Sequence, residues 1–476
     1  MRFERSVAHL LIGLMVAFIL MLTSALYWGV AGADEALSSP FNYRQRAALA
    51  ALERGEIVDR NGHPLVNSIA AETDGWLRLT RDPSLSSITG YASLTYGTGG
   101  AEAAYNAILT DTDQPKTFTD TFDRDVLHIP QHGNDIRLTL DFSVQQAAAD
   151  ALSGRTGAVI VMDATNGALL AVASSPTIDP STLDSEWESL IKRTDNPFFN
   201  RALQGEYQPG GALQPVLLAG WLIAGRTISD TLTLPQGLDS PVNLGEVMVN
   251  CLQSPADALL TPTQAFLAGC PAGFDAMIVA LGETTTRSTL TLFGATQHTE
   301  LTGFTLPAPP SDAKAIISDW QSDALGQGAI RLSPLDMAVI TAAIANDGNA
   351  PQPFLLESTR AYGSEEWVSY TAPAQTTPIT TAQTAQAIQT LMHQSVQSGT
   401  AFGAARTDLP IGGHVGQAIS GQQTLTWFIG FVEIEPDHTL VTVVLLEGDS
   451  TASDAAHTGG DILRAAVDAN THLTDF

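Results

Sequence analysis

Residues 10–30 contain no charged side chain, and their only clearly polar ones are Thr23 and Ser24. Twenty-one residues in a helix span roughly 30 Å, the thickness of a bilayer's hydrocarbon layer. Arg2 and Arg5 precede the run and acidic residues begin at Asp34, a polarity that predicts the N-terminus inside and the rest outside. Ala31-Gly32-Ala33 also reads as a cleavage site, so two outcomes stay open: a single-pass signal anchor or a removed leader. The anchor is the reading adopted, because the apolar run is longer than a usual leader core.

Beyond the run, 476 residues allow two or three domains. Lys and Arg number 22 against 50 Asp and Glu, a net charge of -28. Such a surface repels nucleic acid and anionic headgroups, and neither is expected as a partner. Cys251 and Cys270 are the only cysteines. They either pair, as an extracytoplasmic setting permits, or remain buried thiols. Two cysteines without clustered histidines do not make a zinc site, and no metal or cofactor is expected.

Turn and cap signals divide the rest. Residues 43–52 read as a helix, and Arg54-Gly55-Glu56-Ile57-Val58-Asp59-Arg60-Asn61-Gly62 as a strand ending in an Asn-Gly hairpin turn. The Thr/Asp-rich residues 110–125 read as a loop or ribbon. Near Asp135 a second domain begins: a strand at 136–140, a helix at 144–152 capped by Asp141 or Ser143, and two strands at 157–163 and 168–174. Helices are predicted at 212–224, from Ser333-Pro334 to about Asn346, within 376–397, and at 461–468. Strands are predicted at 427–434 and 439–446.

The segment Gln208-Pro209-Gly210-Gly211-Ala212-Leu213-Gln214-Pro215 opens the helix at 212–224. It resembles the Pro-Gly-Ser-x-x-Lys start of the catalytic helix in class B penicillin-binding proteins, where serine attacks and lysine draws off its proton. Residues three apart share a helix face, which is why that spacing works. Here the serine position is Gly211 and the lysine position Gln214. Residues 54–62 resemble the family's Arg-Gly-x-Ile-x-Asp-Arg-x-Gly element, and residues 90–102 its Gly-Tyr-x-Ser…Gly-x-Glu element. Asn200-Arg201-Ala202, Gly326-Gln327-Gly328, Ile344-Ala345-Asn346 and Trp427-Phe428-Ile429-Gly430 follow in the family's order.

The resemblance implies an α+β fold: a transpeptidase domain with a five-stranded antiparallel sheet between helices, at residues 135–476. It would follow a membrane anchor at 1–33 and a pedestal, dimerisation-like domain at 34–134. The family's Ser-x-Asn element falls on Gly269-Cys270-Pro271, without hydroxyl or amide. Its Lys-Thr-Gly-Thr element falls on His414-Val415-Gly416-Gln417, where a protonated His414 is a tolerable stand-in for lysine. Two other S-x-x-K matches, Ser189 to Lys192 and Ser311 to Lys314, lack the Pro-Gly context, and Lys116 has no partner of this kind. Tyr207 and Glu206 lie near the expected cleft, Tyr207 reading as a packing residue. Cys270 is a remaining nucleophile, if His414 were to activate it.

No catalytic motif is intact, and the expected function is a pseudo-transpeptidase acting as scaffold or regulator in peptidoglycan assembly. Two alternatives are an active D,D-transpeptidase or carboxypeptidase with rearranged residues, and a non-covalent sensor of wall fragments or β-lactams. Peptide stems are possible ligands, and the resemblance implies a multi-pass glycan polymerase as partner.

Overall fold

The computed structural model describes residues 2–30, 50–71, 75–112, 131–234, 241–245, 247–255, 261–301, 303–305, 319–370, 375–435 and 438–471. Most of the helix expected at 43–52, most of the ribbon at 110–125, and Lys116, Ser311 and Lys314 lie outside the described residues.

Helix Arg2–Val30 contains one stretch, Val7–Ala25, long and apolar enough to cross a membrane, with mean hydropathy 2.3. It fits a single-pass anchor. Its apolar side chains, Leu10 to Leu22 among them, are exposed instead of packed on the protein.

Five strands form one antiparallel sheet in the order Ile411–Ser420, Gln423–Glu435, His438–Glu447, Thr156–Asp163, Leu169–Ser175. β-Branched and aromatic residues are concentrated in strands Gln423–Glu435 and His438–Glu447, as a pleated buried surface favours. Both faces are covered. Ile160, Met162, Val443 and Ile429 face a core shared with helices Gln214–Ile223 and Pro334–Ala345. Val159, Val161, Val444 and Phe428 face another shared with Phe142–Ala151 and Ala452–Thr471. Alternation along each strand separates the two cores.

Local signals account for the helix starts. Asp141 accepts from the backbone amides of Ser143 and Val144, and Ser333 forms a capping box with Asp336 ahead of Pro334. The last helix runs Ala452–Thr471, well beyond the expected 461–468. Its Gly459 is a packing position: a Cβ there would lie 2.0 Å from the Phe428 ring. What looks like a helix breaker in sequence lets the helix press against the sheet.

A second sheet of six strands is ordered Val368–Ser369, Leu356–Arg360, Asp135–Leu138, Ile57–Val58, Pro64–Ala70, Trp76–Thr80. It pairs Ile57–Val58 with Ile136–Arg137, so backbone hydrogen bonds cross the boundary expected at residue 134. Arg54 and Arg78 both clasp the buried Glu102 carboxylate, at 2.7 and 2.6 Å. The two N-terminal sequence elements are thus one ion cluster.

Candidate functional site

The chain reaches the head of the buried helix through Gln208-Pro209, and that approach is pinned from three directions. The Trp427 indole donates to the Gln208 carbonyl at 3.0 Å. Gln208 Nε2 donates to the Gln327 carbonyl at 2.8 Å. Gly210 N donates to the Gly326 carbonyl at 2.9 Å. Gly210 has φ 51°, and a Cβ there would fall 2.1 Å from the Gln417 carbonyl oxygen. Glycine is needed for both reasons. A single turn of 3-10 helix, Gly210–Leu213, then leads into Gln214–Ile223.

Gly211 abuts the edge strand. A Cβ built on it would lie 3.1 Å from Gly416 Cα, 3.4 Å from Gln214 Nε2 and 3.6 Å from Gln417 N. The helix-face spacing therefore does bring positions 211 and 214 together, and what meets there is a glycine hydrogen and a carboxamide. Gly416 is still closer to the helix: its own Cβ would be 2.0 Å from Ala212 N.

A hollow of about 190 Å³ opens beside this contact, lined by Gly211, Gln214, Gly269, Pro271 and Gln417 among others. The three segments singled out in the sequence, at 208–215, 269–271 and 414–417, thus meet at one place. Its far wall is Met248 to Leu252, tied to the head of helix Pro271–Leu281 by a disulfide between Cys251 and Cys270. Among the described residues that line it, none is charged and Thr424 alone carries a hydroxyl.

Two expectations are corrected here. Cys270 is no nucleophile and no inert thiol, because its sulfur is committed to the disulfide. His414 is no substitute cation. It is fully buried, stacks on Phe266 at 4.2 Å, and does not line the hollow. Burial pushes its pKa down to about 3, against the opposing pull of the nearby Gly211 backbone. Among the described residues, neither ring nitrogen makes a hydrogen bond of good geometry. A neutral, enclosed imidazole cannot hold a carboxylate. Val415 turns to the opposite face and joins the core around Phe428.

The other candidates are structural. Tyr207 donates its hydroxyl to Glu447 at 2.9 Å and sits edge-on to Trp427, while burial raises its pKa. Glu206 lies 3.5 Å from His298. Lys192 is an exposed partner of Glu188 at 3.4 Å, and Ser189 donates to the Glu186 carbonyl. Gln327 is the residue whose role the sequence reading missed. Its Nε2 donates to the Gln417 carbonyl at 3.4 Å, and its Oε1 accepts from Ile419 N at 3.2 Å. Only its place in Gly326-Gln327-Gly328 hinted at this.

A buried helix whose head presses on the edge of a five-stranded sheet is the layout of penicillin-recognising transpeptidases. The chain belongs to that family: the penicillin binding protein transpeptidase domain matches residues 157–468. The penicillin binding protein A dimerisation domain matches residues 54–136. Peptidoglycan D,D-transpeptidase PbpA of Mycolicibacterium smegmatis is 28% identical, over 94% of this chain and 95% of its own length. PbpA of Mycobacterium tuberculosis is 27% identical, over 98% of both. Among solved structures, the D,D-transpeptidase domain of a peptidoglycan glycosyltransferase from Eggerthella lenta superposes with TM-score 0.76 at 26% identity. It covers 88% of this chain and 99% of its own. Penicillin-binding protein A from M. tuberculosis, as an imipenem acyl-enzyme complex, superposes with TM-score 0.76 at 24% identity, covering 88% and 99% of the two chains.

Proposed function

We propose that this chain is a membrane-anchored member of the family that does not transfer acyl groups and serves peptidoglycan assembly as a scaffold or regulator. One observation carries the reading: a hydrogen and a carboxamide occupy the nucleophile and base positions, in a hollow whose described lining is uncharged. Loss of a nucleophile that acts with its base removes roughly 10⁶ in turnover. Thr424, the one hydroxyl among the described lining residues, has no base among them to activate it.

The cell-wall setting comes from relatives named as peptidoglycan D,D-transpeptidases. The Cys251–Cys270 disulfide fits an oxidising, extracytoplasmic location for the bulk of the chain. On this reading residues 1–33 are the anchor, 34–134 the pedestal and 135–476 the transpeptidase-like domain. A multi-pass glycan polymerase contacted through anchor and pedestal is the partner proposed. Fluorescent penicillin followed by intact-mass measurement tests the reading. No covalent adduct is expected on the native chain, and an adduct at any residue would overturn it.

A further inference from the structure

Gln214 is 4% exposed, and among the described residues its buried Oε1 has no hydrogen-bond donor. The side chain lines the 190 Å³ hollow. A buried acceptor left unpaired is costly, and an occupant bearing an N–H or O–H would relieve it. Every described lining residue is neutral. A free carboxylate would therefore enter without a counter-charge, at a heavy desolvation cost. A carboxamide brings two donors and no charge.

The strand edge adds an independent observation. Ile411–Ser420 is the terminal strand of its sheet; residues 411–416 are buried, and its outer edge can take an added peptide group only around the partly exposed Gln417 and Ile419. The Gln327 carboxamide already bridges Gln417 O and Ile419 N there. One side-chain amide thus fills the place of the first peptide group of an added strand. Gln327, Gln417 and Ile419 also line the hollow, so edge and hollow are continuous. Its volume is below the roughly 300–1,000 Å³ typical of drug-sized sites, which suits one chain end.

We propose that the hollow binds the end of one extended, neutral peptide carrying a carboxamide, whose N–H donates to Gln214 Oε1 while its backbone displaces the Gln327 amide from the strand edge. This rests on the non-acylating reading of the same site and specifies its ligand class.

The test uses the full chain in detergent micelles and acetyl-D-alanyl-D-alanine in two forms, C-terminal carboxamide and free acid, titrated by calorimetry at neutral pH. The carboxamide is expected to bind about ten-fold tighter, the worth of one hydrogen bond to a buried group. Gln214→Met keeps the volume, removes the acceptor, and is expected to level the two affinities. Gln327→Ala, which uncaps the edge, is expected to strengthen both. Equal or tighter binding of the acid, no binding of either form, or a preference that survives Gln214→Met would each overturn the proposal. If Gln214→Met does not fold, the comparison on the unaltered chain still decides. Fluorescent penicillin in parallel keeps the two readings apart. Covalent labelling overturns the non-acylating one, whereas an unlabelled chain without carboxamide preference overturns only this one.

Discussion

His414 lies against Phe266 with ring centroids 4.2 Å apart and planes 24° from parallel, so the side chain expected to stand in for a cation is part of an aromatic stack. The ring's pKa near 3 sets a pH signature. An unfolded histidine titrates near 6.5, so below that pH the unfolded chain takes up a proton that the folded one refuses. Stability tied to His414 is full above about 6.5 and is lost as pH falls toward 3, by up to about 5 kcal/mol. His414→Leu should flatten that acid limb in denaturant unfolding between pH 4 and 7. At neutral pH it should be neutral or stabilising by about 1 kcal/mol, since it removes buried ring nitrogens that make no hydrogen bond of good geometry among the described residues.

A second histidine should show the opposite sign. His298 Nδ1 is 3.1 Å from Asp336, and this hydrogen bond raises its pKa against the effect of burial. Its contribution is full below about 6.5 and is lost as pH rises through the raised folded value. His298→Ala should cost about 2–4 kcal/mol near pH 6, with the difference narrowing toward alkaline pH. Asp336 limits the acid side. Burial opposes its charge, but bonds from His298, Ser333 and Thr299 prevail and hold its pKa below the usual carboxylate range. Its share is present above about 3.9 and is lost below that.

Gly416→Ala tests the helix-to-strand contact. The added carbon would stand 2.0 Å from Ala212 N and 2.3 Å from the Gly211 carbonyl carbon, both backbone. No rotamer change relieves such a clash, and a loss of about 3 kcal/mol or more is expected in thermal unfolding. Gly413→Ala meets the Phe428 ring instead, at 2.7 Å, and serves as a comparison within the same strand.

Removing the disulfide by Cys251→Ser with Cys270→Ser should cost about 3 kcal/mol, as a closed loop of this length implies. The wall from Met248 to Leu252 would also lose its tether. Hydrogen exchange should rise there and at the start of helix Pro271–Leu281, while the sheet amides stay protected. Unchanged exchange along that wall would mean that packing alone holds it.

Much of the architecture was legible because its signals are local. The near-continuous apolar runs 427–434 and 439–446, rich in β-branched and aromatic residues, mark buried strands, and Ser333-Pro334 or Asp141 caps a helix through its own neighbours. The helical face shared by Gly211 and Gln214 follows from spacing, and the structure keeps it. The extent of the last helix was not legible, because whether Gly459 breaks a helix or admits Phe428 depends on a strand thirty residues away.

By itself, the sequence determined which residues stand at 211 and 214, a glycine and a glutamine, since a residue's identity needs no coordinates. Only the tertiary structure decided what surrounds them. Whether Cys270 is a thiol depends on the position of Cys251, and whether His414 is a cation depends on the solvent that Phe266 excludes. That Gln327 caps a strand ninety residues further along the chain is a contact no local pattern encodes. Charge and hydrogen bonding are properties of surroundings, and folding supplies the surroundings.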